Sequence, residues 1–273
     1  MEILEFRVPV ENNKTLFVWN IEPNLTEAQI HVQLFSVFSA FGPLYLLKVS
    51  PNAPLHPPGF YALIKFYSAV QAAEAQRLTD GKTLFQSSQL KVRLSSKQTP
   101  PLMAGSSRPL SHAHCLELAN HCLGFNGWTS EIITLKELTN EDEEEGECEG
   151  EEGEVKKLRM GCLLQLCFPR HLRSSRGAAV LEDTFTCTGA DVVLQRRCRL
   201  QRLVREKALV QAFTAVLLIL LGNGKVMVEV KQSSDHLLPD DTEGILQVNE
   251  FSWVDVPADE DVPADEQLDF TVS

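Results

Sequence analysis

Residues 116–128 read LELANHCLGFNGW, and the stretch closes on five residues that helix formation alone explains poorly. Gly124 and Gly127 bracket Phe125 and Asn126, and Trp128 follows at once. Taken by itself the segment is a helix with a C-cap at Gly124, then a tight turn at Asn126-Gly127 leading into a strand. Whether it only ends a helix or marks a particular module depends on what flanks it.

Upstream, strand-like and helix-like patterns alternate. TLFVWNI (Thr15 to Ile21) is β-branched and aromatic and predicts a strand. LTEAQIHVQLFSVFSAFG places Ile30, Leu34, Val37, Phe38 and Phe41 at helical spacing, with Thr26 as N-cap and Gly42 at the stop. LYLLKVS and GFYALIKFY predict two further strands, separated by a proline-rich loop. A second helix capped by Ser68 closes near Gly81, and QLKVRLS supplies a fourth strand. The order is βαββαβ. Residues 98–110, QTPPLMAGSSRPL, have linker composition. Beyond them lie the opening stretch, a strand near WTSEIITLKEL, and two more strands, LRMGCLLQLCF and GAAVLEDTFTCT. A long amphipathic helix is expected over roughly Val192 to Leu221, then an Asn-Gly turn and a last strand in GNGKVMVEV.

Averaging the composition hides the charge. The formal net charge of -12 would argue against a nucleic-acid partner, but the acids are segregated. Residues 141–154, EDEEEGECEGEEGE, hold ten carboxylates and no base, and twelve more follow Lys231 with no Lys or Arg among them. Setting those twenty-two aside leaves 15 acidic against 25 basic residues. The acidic tail repeats DVPADE twice, a proline-spaced pattern that predicts disorder. Seven cysteines without framework spacing, and no N-terminal signal pattern, predict free thiols in a reducing compartment, nuclear and cytoplasmic. The apolar run AVLLILL (Ala215 to Leu221) is far shorter than the roughly 20 residues that span a bilayer, so no membrane partner is expected.

In the first module LFVWNI (Leu16 to Ile21) matches the RNP2 hexamer of the RNA-recognition motif, and GFYALIKF (residues 59–66) resembles its RNP1 octamer. Alternation sets Phe60, Ala62, Ile64 and Phe66 toward a core, and Tyr61, Leu63 and Lys65 beside Phe17 on an open sheet. Lys48, Lys91 and Arg93 fall on that same face. The resemblance implies aromatic stacking on bases, at about 1–3 kcal/mol per base, with the cations on phosphates. Gly59 stands where the family carries a basic residue and Leu63 where it carries a second aromatic, so weaker and less selective binding is expected. A partner protein or the linker covering Phe17 and Tyr61 is the competing reading.

The opening stretch belongs to a second signature. His114, Leu118, Ala119, Asn120, Gly124, Phe125, Asn126, Gly127 and Trp128 match the pattern H-x₃-LAN-x₃-G-[FY]-N-G-W, which resembles the DNA-binding core of the single-strand-annealing mediator Rad-fifty-two. The combination with a recognition motif identifies the chain as a member of the Rad-fifty-two motif-containing family. That resemblance implies a β-β-β-α unit holding single-stranded DNA by its backbone. The residues agree in part: RRCRLQRLVREK sets Arg196, Arg199 and Arg202 at i+3 steps, Arg205 continuing the line, opposite Leu200, Leu203, Val204 and Leu209. Such a stripe tracks phosphates with steep salt dependence, or is merely a solvated helix face. Positions matching the mediator's further groove cations are Thr214, Ala215 and Leu218, which leaves strand annealing and ring assembly without support.

His112, His114, Cys115, His121 and Cys122 do not make a zinc site, because the i+7 spacing of His114 and His121 separates two ligands by about 10.5 Å along a helix. No phosphate-binding loop, nucleophile elbow or HExxH motif is present, so neither an enzyme nor a cofactor is expected. The expectation is an α+β chain: an arm at 1–14, a recognition-motif sandwich at 15–97, a linker at 98–110, the mediator-like domain at 111–232 with an acidic insert at 140–154, and a disordered acidic tail at 233–273. Its partners would be single-stranded DNA and RNA, with double-stranded DNA, repair proteins and a second copy of the chain as further candidates, in DNA damage response and recombination. The alternative is an adaptor whose RNP face and acidic segments bind proteins.

Overall fold

Thr26 opens the first helix with a capping box: its Oγ1 accepts from Gln29 N at 3.3 Å while its own N–H donates to Gln29 Oε1 at 3.0 Å. Helix α1 (Glu27–Phe38) buries Ile30, Leu34 and Phe38 one turn apart. They pack on Leu16, Val18, Ala62 and Ile64, the inward set of the sheet strands, each large side chain contributing about 1.5–3 kcal/mol by burial. The computed structural model describes residues 1–54, 56–95, 108–138, 155–187, 189–221 and 224–231. The acidic insert, residues 96–107 of the linker region, and the tail beyond Lys231 lie outside the described residues.

The first sheet has four antiparallel strands, β2 (Thr15–Ile21), β3 (Leu44–Pro51), β4 (Phe60–Phe66) and β5 (Lys91–Leu94), in the order β3-β4-β2-β5. Helix α2 (Ala69–Thr79), N-capped by Ser68, adds Ala72 and Ala75 to the same core as α1. Both helices therefore cover one face and leave the other uncovered by secondary structure of this module. The βαββαβ order is as the sequence predicts.

The second module begins with α3 (His112–Leu123), followed by β6 (Thr129–Glu137), β7 (Val155–Phe168) and β8 (Arg173–Thr186) in one antiparallel sheet of order β6-β7-β8. Strict alternation along β7 buries Leu158, Met160, Cys162, Leu164, Leu166 and Phe168. Helix α4 (Ala190–Thr214) packs on β7 and β8 and buries Leu200, Val204, Ala208, Leu209, Ala212 and Phe213. The module is thus α-β-β-β-α, with α3 added to the β-β-β-α unit.

Two expectations need correction. The long helix does not reach Leu221: it ends at Thr214, and Val216–Leu220 is strand β9. A continuous apolar run reads equally well as a helix segment or as a strand covered on both faces, and periodicity cannot separate them. Here the run is paired on both edges, with β10 (Val226–Val230) on one side and β1 (Glu2–Glu5) on the other. Leu218 is accordingly a fully buried strand residue, not a groove position. Residues 1–14, read as an arm, instead carry β1 into the second module's small sheet β1-β9-β10. Phe6 continues it into the core, fully buried and stacked on Phe213 with ring centroids 4.5 Å apart.

The N-terminal segment also reaches the first module. Glu2 accepts from Ala69 N at 3.1 Å and from the Ser68 hydroxyl, setting a carboxylate at the N-terminus of α2 where the helix dipole favours it. Tyr67 is buried with the second module's core, and Tyr45 lies against His114 at 4.9 Å between ring centroids. His114 Nδ1 is in turn 2.8 Å from the hydroxyl of Ser111, the N-cap of α3.

Candidate nucleic-acid interface

Cross-strand register brings the recognition-motif residues together. Phe17 on β2 pairs with Leu63 on β4 and with Arg93 on β5, Lys48 on β3 pairs with Leu63, and Trp19 pairs with Lys91. Directly paired residues share a face, so Phe17, Trp19, Tyr61, Lys48, Lys65, Lys91 and Arg93 all project from the uncovered side. Phe17 is 37% exposed. Its ring centroid is 5.5 Å from that of Tyr61 and 5.5 Å from that of Trp19. The Arg93 guanidinium lies 5.8 Å from the Trp19 centroid, within cation–π range. The result is a row of three rings ending in a cation. Trp19 is absent from the sequence-based set, yet it stands two residues after Phe17 on one strand, so period-two alternation alone would have found it.

The cations on this face differ. Among the described residues no carboxylate forms an ion pair with Lys48, Lys91 or Arg93. Lys65 is half-buried, and loss of hydration holds its ammonium below the ordinary lysine value, partly opposed by the negative charge of Glu11. The Gly59 departure also has a cause: a Cβ there would stand 2.6 Å from the Ile21 carbonyl oxygen, so no basic side chain fits.

The second signature is divided between folding and exposure. Trp128 Nε1 donates to Asn120 Oδ1 at 3.0 Å, and its ring meets Phe213 edge-on at 5.4 Å. Gly124 caps α3 at φ 77, and Gly127 N donates to Gly124 O at 3.0 Å, so the turn runs from Gly124 to Gly127. At Gly127 a Cβ would fall 2.2 Å from the Leu123 carbonyl oxygen, which explains the second glycine. Asn120, Gly124, Gly127 and Trp128 therefore serve the fold. Phe125, at 84% exposed, and the exposed Asn126 do not.

Helix α4 presents its arginines less freely than the sequence suggests. Arg196 lies 3.6 Å from Asp183 of β8 with its guanidinium over Phe185, and the neighbouring Arg197 lies 3.0 Å from Glu137 of β6. Arg202 faces Glu206 at 3.7 Å, and Arg205 Nε donates to the Gln201 carbonyl. Arg199 is exposed, and among the described residues nothing pairs with it. Only Glu206, four residues on along the helix, was legible as a partner; Asp183 and Glu137 arrive from other strands.

A family model described as the RDM1 DSRM domain matches residues 110–217, which run from the start of α3 through α4. The chain is 48% identical to RAD52 motif-containing protein 1 of Danio rerio, over 99% of this chain and 97% of that protein. It is 39% identical to the protein of the same name from Gallus gallus, over 98% and 95% of the two chains. Among solved structures, the crystal structure of the first two RRM domains of yeast poly(U) binding protein (Pub1) aligns at 20% identity over 32% of this chain and 48% of that one, with a TM-score of 0.27.

Proposed function

This chain belongs to the RAD52 motif-containing protein 1 family, and on that premise we propose that it binds single-stranded DNA and RNA across the uncovered face of the first sheet. Family membership and the recognition-motif residues support nucleic-acid binding in general. The observation that carries the finer reading is the row of Tyr61, Phe17 and Trp19 on the uncovered face, Phe17 exposed and the other two half-buried, flanked by Lys48, Lys91 and Arg93. Rings on an open sheet give each base a π-face in any sequence, and unpaired cations beside them neutralise the backbone. The second module adds phosphate contacts through Arg199 and the neighbouring arginines, and extends binding to double strands. Such a protein would act on the single strands that arise in DNA damage response and recombinational repair, and on RNA under stress.

The test is the full chain with Phe17→Ala and Tyr61→Ala together. Stacking losses of about 1–3 kcal/mol per base predict a drop of tenfold or more in affinity for single-stranded oligonucleotides. Unchanged affinity, with the fold intact by circular dichroism, would return the face to the adaptor reading. Salt titration separates the same alternatives, since a phosphate-driven complex weakens linearly in log–log form and apolar protein contacts barely respond.

A further inference from the structure

Strand β2 leaves its register with β4 between Val18 and Ile21, and within that irregularity Asn20 adopts a left-handed φ of 64. A bulge of this kind bends a strand away from its neighbour and re-aims its side chains. Opposite it, Asn52 makes two bonds across the β3–β4 loop: its N donates to Gly59 O at 2.9 Å, and its Nδ2 to Pro57 O at 2.9 Å. Between the two lies a cleft of about 570 Å³ whose walls include Phe17, Trp19, Asn20, Asn52, His56 and Tyr61. All three rings of the aromatic row line it, and the bulge and the β3–β4 loop add the carboxamides of Asn20 and Asn52 beside them.

Its polar groups are unevenly matched. The Asn20 carboxamide donates to Gln89 O at 2.8 Å and that of Asn52 to Pro57 O, so both spend an N–H on a backbone carbonyl. Among the described residues nothing donates to either Oδ1. The cleft therefore offers an aromatic platform and two open acceptors, and what satisfies acceptors is a donor-rich planar group. Adenine and cytosine carry an exocyclic amine; uracil and thymine present a carbonyl in its place.

We propose that this cleft takes one unpaired nucleobase bearing an exocyclic amine, stacked on Trp19 and donating to Asn20 and Asn52. The inference rests on the single-strand reading of the sheet and gives it a base preference. Trp19 is outside the buried core of its module, so its replacement leaves the fold standing.

The experiment measures affinity of the full chain for oligoadenylate, oligouridylate and an oligomer of unsubstituted purine, each about eight nucleotides long, within single-strand site sizes. The wild-type chain should prefer adenine over purine by about fivefold, the effect of one lost hydrogen bond. Trp19→Ala should weaken oligoadenylate binding about tenfold and abolish the preference, while Trp19→Phe restores most of both. If Trp19→Ala binds all three probes as the wild type does, and Phe17→Ala with Tyr61→Ala still loses them, the cleft proposal falls and the sheet reading stands. Equal wild-type affinity for adenine and purine also overturns it. If the wild-type chain binds none of the probes, both readings fall together.

Discussion

The first sheet and helix α4 carry comparable numbers of cations and use them oppositely. On the sheet, Lys48, Lys91 and Arg93 stand beside the exposed Phe17 and the half-buried Trp19 and Tyr61, with no carboxylate paired to them among the described residues. On α4, Arg196, Arg197 and Arg202 each face an acid, two of the three from flanking strands. Both regions look equally basic when residues are counted along the chain. The difference lies in surroundings: an uncovered sheet face meets only solvent or ligand, while a helix lying on a sheet brings its borders within reach of the strands' acids. Available charge is thus a property of the fold.

The two modules have separate cores, and the most severe test of that separation is Phe6→Ala. Phe6 is fully buried against Phe213, and truncating such a ring costs about 3–5 kcal/mol. Hydrogen exchange should show that loss in β9, β10 and α4, with the β2 and β4 amides keeping their protection. Equal loss in both sheets would mean one cooperative unit and dissolve the contrast.

A smaller effect is expected from freeing the α4 arginines. These pairs are partly exposed, so Asp183→Asn, Glu137→Gln and Glu206→Gln should each change stability by no more than about 1 kcal/mol. The triple variant should bind single strands more tightly at low salt, its log–log salt slope steeper by roughly 0.7 for each cation that gains a phosphate. Arg196→Gln, Arg199→Gln and Arg202→Gln together should move the slope the other way. Slopes that stay put in both variants would leave α4 as a solvated face and the first sheet as the whole interface.

The least effect concerns the thiols. Burial pushes Cys115 and Cys122 of α3 up to about 12, so their reactive thiolates are scarce near neutral pH, whereas Cys198 is exposed on α4. Alkylation of the folded chain, followed by mass spectrometry, should mark Cys198 well before either of the others. Early labelling of Cys115 would show α3 leaving the core, and with it the Tyr45–His114 contact between the modules.

The local elements and the faces they present are written in short stretches of residues. Thr26 and Ser68 as caps, the β4 alternation through Phe60, Ala62, Ile64 and Phe66, and the glycine-bounded turn before Trp128 all follow from periodicity and backbone freedom, which are short-range properties. The RNP face was legible for the same reason, Trp19 included had the alternation been carried two residues further. Other features depend on groups far apart in the chain that packing brings together. Val216–Leu220 became a strand because β1 and β10 supply its hydrogen bonds, and the run itself does not say which partners exist. Residues 1–14 became part of two modules because Glu2 meets Ser68 and Phe6 meets Phe213. The arginines of α4 lost much of their freedom to Asp183 and Glu137, and the Asn20–Asn52 cleft exists because a bulge and a loop face each other. A pattern of a few residues fixes which way a side chain points; what it meets there depends on long-range packing, which no local window contains.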